Sequence, residues 1–323
     1  MKSKKILSLC LSVLMSTTLF VGCGSNQQST STKEDDLKEI NITYVKAPLN
    51  VPSILEKNQK SFDKSFEKDN ISVKWHEITS GPKQTEALAS GDLQFLHALG
   101  GTSAILAAAN GVDLKIIGIY SRAPKAFMII SNDPNIKTPK DLKGKKVAGP
   151  KGTILHQLLV GALEKNGLES KDVNFINMGL SEAFAALNNK SIDAALLAGP
   201  LALKAIKSGS NVVADGEGIV DGTIVTAVSG DFLKNHSDIV KTFLSTHEET
   251  LKFMKENEDE ALKIASKEVG LTTEETNEMY KWYDFDSEIK DSDIEDLEKT
   301  QDFMIKSGLQ DKKIDINSII YNK

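Results

Sequence analysis

Lys145-Lys146-Val147-Ala148-Gly149-Pro150-Lys151-Gly152-Thr153-Ile154-Leu155 decides how this chain is read. Val147-Ala148 predicts a short strand, Gly149 to Thr153 a tight loop, and Ile154 to Asn166 an amphipathic helix stopped by Gly167. The same order recurs on both sides. Upstream, Ile40, Ile42 and Tyr44 alternate as a strand, Ile54, Leu55, Phe62 and Phe66 keep helical spacing, and Ile71, Val73 and Trp75 alternate again. Pro82 to Ser90 predicts a helix, Leu93 to His97 a strand, Thr102 to Asn110 a helix, and Leu114 to Tyr120 and Phe127 to Ile130 strands. Downstream come strands at Val173 to Ile176, Ala194 to Leu197, Val212-Val213 and Ile224 to Val228, with helices at Glu182 to Asn188 and Leu201 to Ser208. Repeated strand–helix units predict an α/β fold with largely parallel sheets. Two such blocks, followed by a charged helical stretch from Phe232 onward, predict two lobes.

In open α/β sheets, ligands sit beyond the carboxyl ends of the strands. The loops there are Lys46 to Ser53 (with Asn50), Ser80-Gly81, Gly100-Gly101-Thr102-Ser103, Gly149 to Thr153, Ala198-Gly199-Pro200 and Gly216 to Thr223. Several open a helix, where free N–H groups and the dipole favour an anion. Each also serves as an ordinary turn and cap. None carries the glycine spacing of a nucleotide loop.

The chain has 323 residues, 40% apolar and 26% charged, which is soluble composition with room for about two domains. Its net charge of −6 and lack of a basic, aromatic-interleaved patch exclude a nucleic-acid binder. Residues 1–22 hold Lys2, Lys4 and Lys5, then an uncharged run from Ile6 to Val21, too short for a bilayer span and patterned as a secretory signal. Val21-Gly22-Cys23-Gly24 resembles a bacterial lipobox, which implies lipidation at Cys23. Losing residues 1–22 removes Cys10 and three Lys, leaves a net charge of −9, and leaves Cys23 as the only Cys, its sulfur blocked. Thiol catalysis and Cys metal sites are then disfavoured. Residues 23–38 predict a flexible tether.

Gln84-Thr85-Glu86-Ala87-Leu88-Ala89-Ser90-Gly91-Asp92-Leu93-Gln94-Phe95, the run Thr138 to Thr153, Ala162 to Leu168 and Asp193-Ala194-Ala195 resemble the nitrate/sulfonate/taurine/thiamine-precursor group of ABC-importer substrate-binding proteins. The resemblance covers about 40–230. It implies a bilobal periplasmic-binding-protein-like fold (type II), two α/β lobes joined by two crossovers. Lobe one takes 39–125 plus 225–323 and lobe two takes 126–224. It implies a solute held by Asn50, Ser80, Gly81, Gly101, Thr102 and Ser103 from one side, and by Thr153 and Gly199 from the other. Where relatives carry a bulky aromatic, this chain has Leu197-Ala198-Gly199-Pro200, which implies a different pocket shape.

Two further residues are candidates. His156 lies one turn into the helix opened by Thr153, as a ligand or as a cap. Arg122 is the only Arg in the chain, and its guanidinium fork suits a sulfonate or carboxylate, or else a salt bridge between lobes. His76, His97, His236 and His247 show no metal-ligand spacing. Glu256 to Glu260 and Asp284 to Asp296 read as solvated helical faces, with Tyr280, Trp282, Tyr283 and Phe285 as packing beneath them.

The expectation is a lipid-anchored, monomeric receptor on the extracytoplasmic face of the cell membrane. It has no cofactor, metal or catalytic residues; it captures a small anionic solute and delivers it to an ABC importer permease. A heterocyclic solute such as a thiamine pyrimidine precursor, a sensory receptor, and a thiamine-pyrimidine biosynthetic enzyme are the alternatives.

Overall fold

The computed structural model describes residues 37–46 and 48–321. The signal, Cys23 and nearly all of the tether lie outside the described residues. The first block runs β1 (Glu39–Tyr44), α1 (Val51–Gln59), α2 (Ser61–Phe66), β2 (Ser72–Glu77), α3 (Gly81–Ser90), β3 (Leu96–Gly100), α4 (Gly101–Ala109) and β4 (Lys115–Arg122). The second runs β5 (Phe127–Ser131), β6 (Lys146–Gly149), α5 (Ile154–Lys165), β7 (Asn174–Asn177), α6 (Leu180–Asn188), β8 (Ala194–Ala198), α7 (Gly199–Lys207) and β9 (Asn211–Asp215). The chain then returns as β10 (Thr223–Val228) and closes with α8 (Gly230–Asn235), α9 (Ser237–Glu256), α10 (Glu258–Val269), α11 (Thr273–Tyr280) and α12 (Asp291–Lys306).

The two blocks have the same plan. β5 to β9 form one sheet in the order β7-β6-β8-β5-β9. β10 lies between β3 and β4, and β1 pairs with β2 and reaches β3 through the Ile42–Phe95 bridge. The order on that side is therefore β2-β1-β3-β10-β4. The expected largely parallel sheets are in fact mixed. β5 is antiparallel to β8 and β9, and β10 is antiparallel to β3 and β4. The reason is the connectivity: each sheet contains one strand that enters from the other block, and an entering strand needs no right-handed crossover. Strand β3 also starts later than its apolar run suggested, at Leu96, because Leu93 bonds back to Ala87 of α3 and Gln94 and Phe95 bond Asn41 and Thr43 of β1 without joining a continuous ladder.

The two connections, Ala123–Ala126 and Gly216–Gly222, touch backbone to backbone. A Cβ on Gly222 (φ +67°) would stand 2.7 Å from Ala123 C, and one on Gly216 would stand 2.4 Å from Pro124 O. Only glycine permits that approach.

The cores follow the sheets. Ile40, Ile42, Phe62, Phe66, Phe95 and Phe243 are all fully buried under β1, with Phe95 stacked on Phe243 at 4.0 Å and Phe62 on Phe243 at 4.3 Å. Alternate residues of β5 and β8 divide between two clusters, Ile129, Leu196 and Ala198 in one and Met128, Ile130 and Leu197 in the other, because both sheet faces carry helices. Tyr280, Trp282, Tyr283 and Phe285 pack against the buried clusters as expected. The acidic stretch beside them is only partly solvated: Asp293 is buried and Asp296 half-buried.

Candidate functional site

A cavity of about 80 Å³ lies where the two blocks meet. From the first block it is lined by Val45, Pro48, Asn50, Thr79, Gly81, Gln84, Ala98, Gly100 and Ser103, and from the second by Phe127, Pro150, Thr153, Ile154, Leu155, Leu180 and Ala198, with Ile224 of the returning strand. None of these described residues is charged, and none is His or Cys. The cavity is apolar on its walls and polar where helices begin.

Six helices start at or beside it. The start of α6, at Leu180, is closed by Glu182, which accepts from Gly179 N–H at 3.0 Å. The other five are α1 after Asn50, α3 after Ser80, α4 after Gly100, α5 after Thr153 and α7 after Ala198. None of the five has a side-chain cap, although Asn50, Ser80 and Thr153 are residues that normally cap. The Asn50 amide donates to Val45 O at 2.8 Å, and the Thr153 hydroxyl donates to Pro150 O at 2.8 Å. Away from the cavity, α8 and α11 are capped by Ser229 and Thr272, while α2, α9 and α10 also lack side-chain caps, so it is the convergence of the starts that sets the cavity apart. Apart from Ser53 N–H, which donates to the Tyr120 hydroxyl at 3.1 Å, the first-turn N–H groups of these five helices are not taken by side-chain caps, and the dipoles converge on the cavity from both sides.

The blocks are in contact across the cleft. Ser103 Oγ donates to Gly152 O at 2.9 Å, and Thr102 Oγ1 to Gln157 Oε1 at 2.6 Å. Gly199 (φ +53°) lies against Pro48, where a Cβ would stand 2.0 Å from the carbonyl oxygen. Two buried acceptors on the cavity lining, Asn50 Oδ1 and Gln84 Oε1, have no hydrogen-bond partner.

Of the sequence candidates, Asn50, Gly81, Ser103 and Thr153 line the cavity. Ser80 and Gly199 adjoin it through Gly81 and Ala198. Gly101 and Thr102 face a separate crevice with Asp221, Thr223 and Asp296. His156 faces an outer groove of about 450 Å³. It stacks on Phe175 at 4.6 Å, and burial together with Lys151 lowers its pKa to about 4. Arg122 is outside the cavity lining, and its donors are spent elsewhere. Nε and Nη2 grip Asp293 at 2.6 Å each, Nη1 meets Asp284 at 3.2 Å, and the two Nη atoms donate to Asp286 O and Glu288 O at 3.0 Å.

Sequence reading placed Gly100 in a candidate loop but missed Gln84, Ala98, Leu155 and Ile224. Gln84 follows Ser80 by one helical turn, which is a usable signal. The others are apolar or backbone contributors with none. It also missed that the fold gathers Glu56, His97 and His247, their ligating atoms within 4.8 Å of one another and all buried. Burial alone would raise the Glu56 carboxyl, but the imidazoles of His97 and His247 bring it down to about 2. A larger open groove of about 840 Å³ lies between α1 and α10, lined by Tyr44, Lys57, Lys263 and Lys267 among others. The start of α10, which also lacks a side-chain cap, borders it at Glu260, but there Glu258, Asp259 and Glu260 occupy the first turn.

Two matched α/β blocks, exchanging one strand each and closing on a small cavity, define a bilobal periplasmic-binding-protein fold. The chain belongs to the NMT1/THI5-like family, whose model matches residues 62–261. It is 34% identical over 308 residues to a Bacillus subtilis (strain 168) protein named for aliphatic sulfonate binding, covering 94% of this chain and 91% of that one. The crystal structure of the periplasmic aliphatic sulphonate binding protein SsuA from Escherichia coli superimposes with TM-score 0.74 at 25% identity, covering 88% of this chain and 92% of that chain. The alkanesulfonate-binding protein SsuA from Xanthomonas axonopodis pv. citri bound to MOPS superimposes with TM-score 0.79 at 23% identity, covering 88% and 98%.

Proposed function

We propose that this protein captures a small organosulfonate between its lobes and presents it to an ABC importer permease, without chemical conversion. The observation that carries the reading is the convergence of five uncapped helix starts, from both lobes, on a small cavity lined by no charged residue. A sulfonate spreads one charge over three oxygens, and neutral backbone N–H donors at helix starts stabilise it without a counter-ion. The apolar walls from Phe127, Ile154, Leu155 and Leu180 suit a short alkyl chain. The lining offers the hydroxyls of Thr79, Ser103 and Thr153 but no thiol, and no carboxylate, amine or imidazole to activate them as a general base. The names of the relatives support the same substrate class.

In this reading 39–125 plus 225–323 form lobe one, 126–224 form lobe two, and the crossovers at Ala123–Ala126 and Gly216–Gly222 hinge them. Cys23 carries the lipid that keeps the receptor at the extracytoplasmic membrane face. Arg122 is assigned to locking the C-terminal segment and not to the solute.

The test is a thermal-shift and calorimetric panel of methanesulfonate, taurine, nitrate, bicarbonate and a thiamine pyrimidine. It must be run without sulfonate buffers, which are themselves alkanesulfonates. Stabilisation by the sulfonates is expected. Stabilisation by the pyrimidine alone would replace this substrate class with a heterocycle. Replacing Cys23 with Ala should release the protein from the membrane fraction; retention would remove the anchor.

A further inference from the structure

Ala98 is a strained residue on the cavity wall. Its φ is +78°, a left-handed conformation that a residue with a Cβ rarely adopts. The β3–β10 register steps from Leu99 opposite Val225 to His97 opposite Thr226, which leaves Ala98 as the extra residue of a β-bulge. Bulges re-aim the backbone and cluster beside binding sites, and strained backbone persists only where its surroundings over-determine it. Ala98 is buried and lines the cavity.

The surroundings that hold it are on its neighbour. His97 donates its N–H to Thr43 Oγ1 at 2.7 Å and accepts from the same hydroxyl at its carbonyl at 2.9 Å. Its ring bonds Thr226 Oγ1 at 3.2 Å through Nδ1 and Glu56 at 2.8 Å through Nε2. Glu56 is bonded in turn by His247 Nδ1 at 2.7 Å. The His97 ring meets Tyr120 edge-on at 4.8 Å and Phe243 at 5.1 Å. Glu56 lies on α1, the helix that opens at Asn50 on the same cavity, so one buried contact fixes two cavity edges relative to each other.

We propose that the Ala98 bulge is a solute-contacting element of the cleft and that Glu56, His97 and His247 are the positioning residues that hold it there. The inference rests on the cleft being the solute site. A buried carboxylate between two imidazoles is costly to desolvate, and its retention has a reason if it preserves a binding geometry.

The first test needs no ligand. Ala98→Gly relieves the left-handed strain and should raise Tm by about 2 °C. Combined with Glu56→Gln, the gain should shrink, because a loosened clamp has already let the bulge relax. Thr226→Val, which removes only the hydroxyl at Nδ1, provides a second cycle if Glu56→Gln fails to fold. Additive effects in the cycle that folds would overturn the clamp. The second test follows backbone amide resonances on adding methanesulfonate or taurine. The Ala98 amide should shift together with those of Gly81 and Thr153, and Glu56→Gln should weaken methanesulfonate about tenfold. Shifts at Gly81 and Thr153 with none at Ala98 would overturn the contact. If neither sulfonate moves Gly81 or Thr153, the sulfonate reading has failed, and the ligand-free cycle still decides the clamp.

Discussion

Arg122 and Asp293 form a two-point pair, Nε to Oδ1 and Nη2 to Oδ2 at 2.6 Å each, with 18% and 4% of their side chains exposed. The pair fastens the end of β4 to the start of α12. The backbone repeats the fastening, since Arg122 and Asp284 exchange N–H···O bonds at 2.9 Å in both directions. The lone guanidinium of a lysine-rich chain therefore sits where the C-terminal helices return to β4 of the first block.

Arg122→Lys should destabilise the protein by about 2 kcal/mol, because an ammonium keeps the charge and loses the fork and its carbonyl contacts. The solute dissociation constant should stay within about twofold, since this side chain is outside the cavity lining. Urea unfolding and calorimetry on one preparation check both; a large affinity loss with unchanged stability would return Arg122 to the solute site.

Gly199→Ala should impair closure. Its φ of +53° disfavours any side chain, and the new methyl would stand 2.0 Å from Pro48 O on the opposite lobe. Since backbone cannot yield as a flexible side chain can, the closed form is the state that suffers. Affinity should fall at least about tenfold, with little change in far-ultraviolet dichroism. A scattering radius that no longer contracts with ligand would show the mechanism.

Asp296 should make stability pH-dependent. Burial and the neighbouring Asp221 raise its carboxyl from the ordinary 3.8 to about 7, against the lowering effect of the Thr223 hydroxyl that donates to it at 2.6 Å. Between those two values the folded chain holds a proton that the unfolded chain has released, so this site's contribution to stability declines as pH rises through the window. Asp296→Asn keeps an acceptor for Thr223 and removes the charge. It should raise the urea midpoint at about pH 8 more than at about pH 5. Equal shifts at both pH values would contradict it.

Much of the fold was legible because periodicity reports burial. The alternation at Ile40, Ile42 and Tyr44 and the helical spacing of Phe62 and Phe66 both mark fully or nearly fully buried residues. The glycine-punctuated loops were legible as helix starts, and Gly81, Ser103 and Thr153 followed from them. Ala98 was not legible, because no residue type signals a left-handed alanine; the register of β10 imposes it. Nor was the Glu56–His97–His247 cluster, whose members lie 41 and 191 positions apart from Glu56 and meet only in the core.

The sequence by itself determined the elements, the two-block plan and the helix starts, since these depend on neighbours within a few residues. Tertiary structure decided the rest. It set the antiparallel entering strands, which follow from where the chain crosses between lobes. It gave Arg122 to Asp293 instead of to the cavity, because a fork takes the partner the fold delivers at hydrogen-bond distance. It also made the cavity neutral, because the residues that the fold brings to the converging helix starts carry no charge.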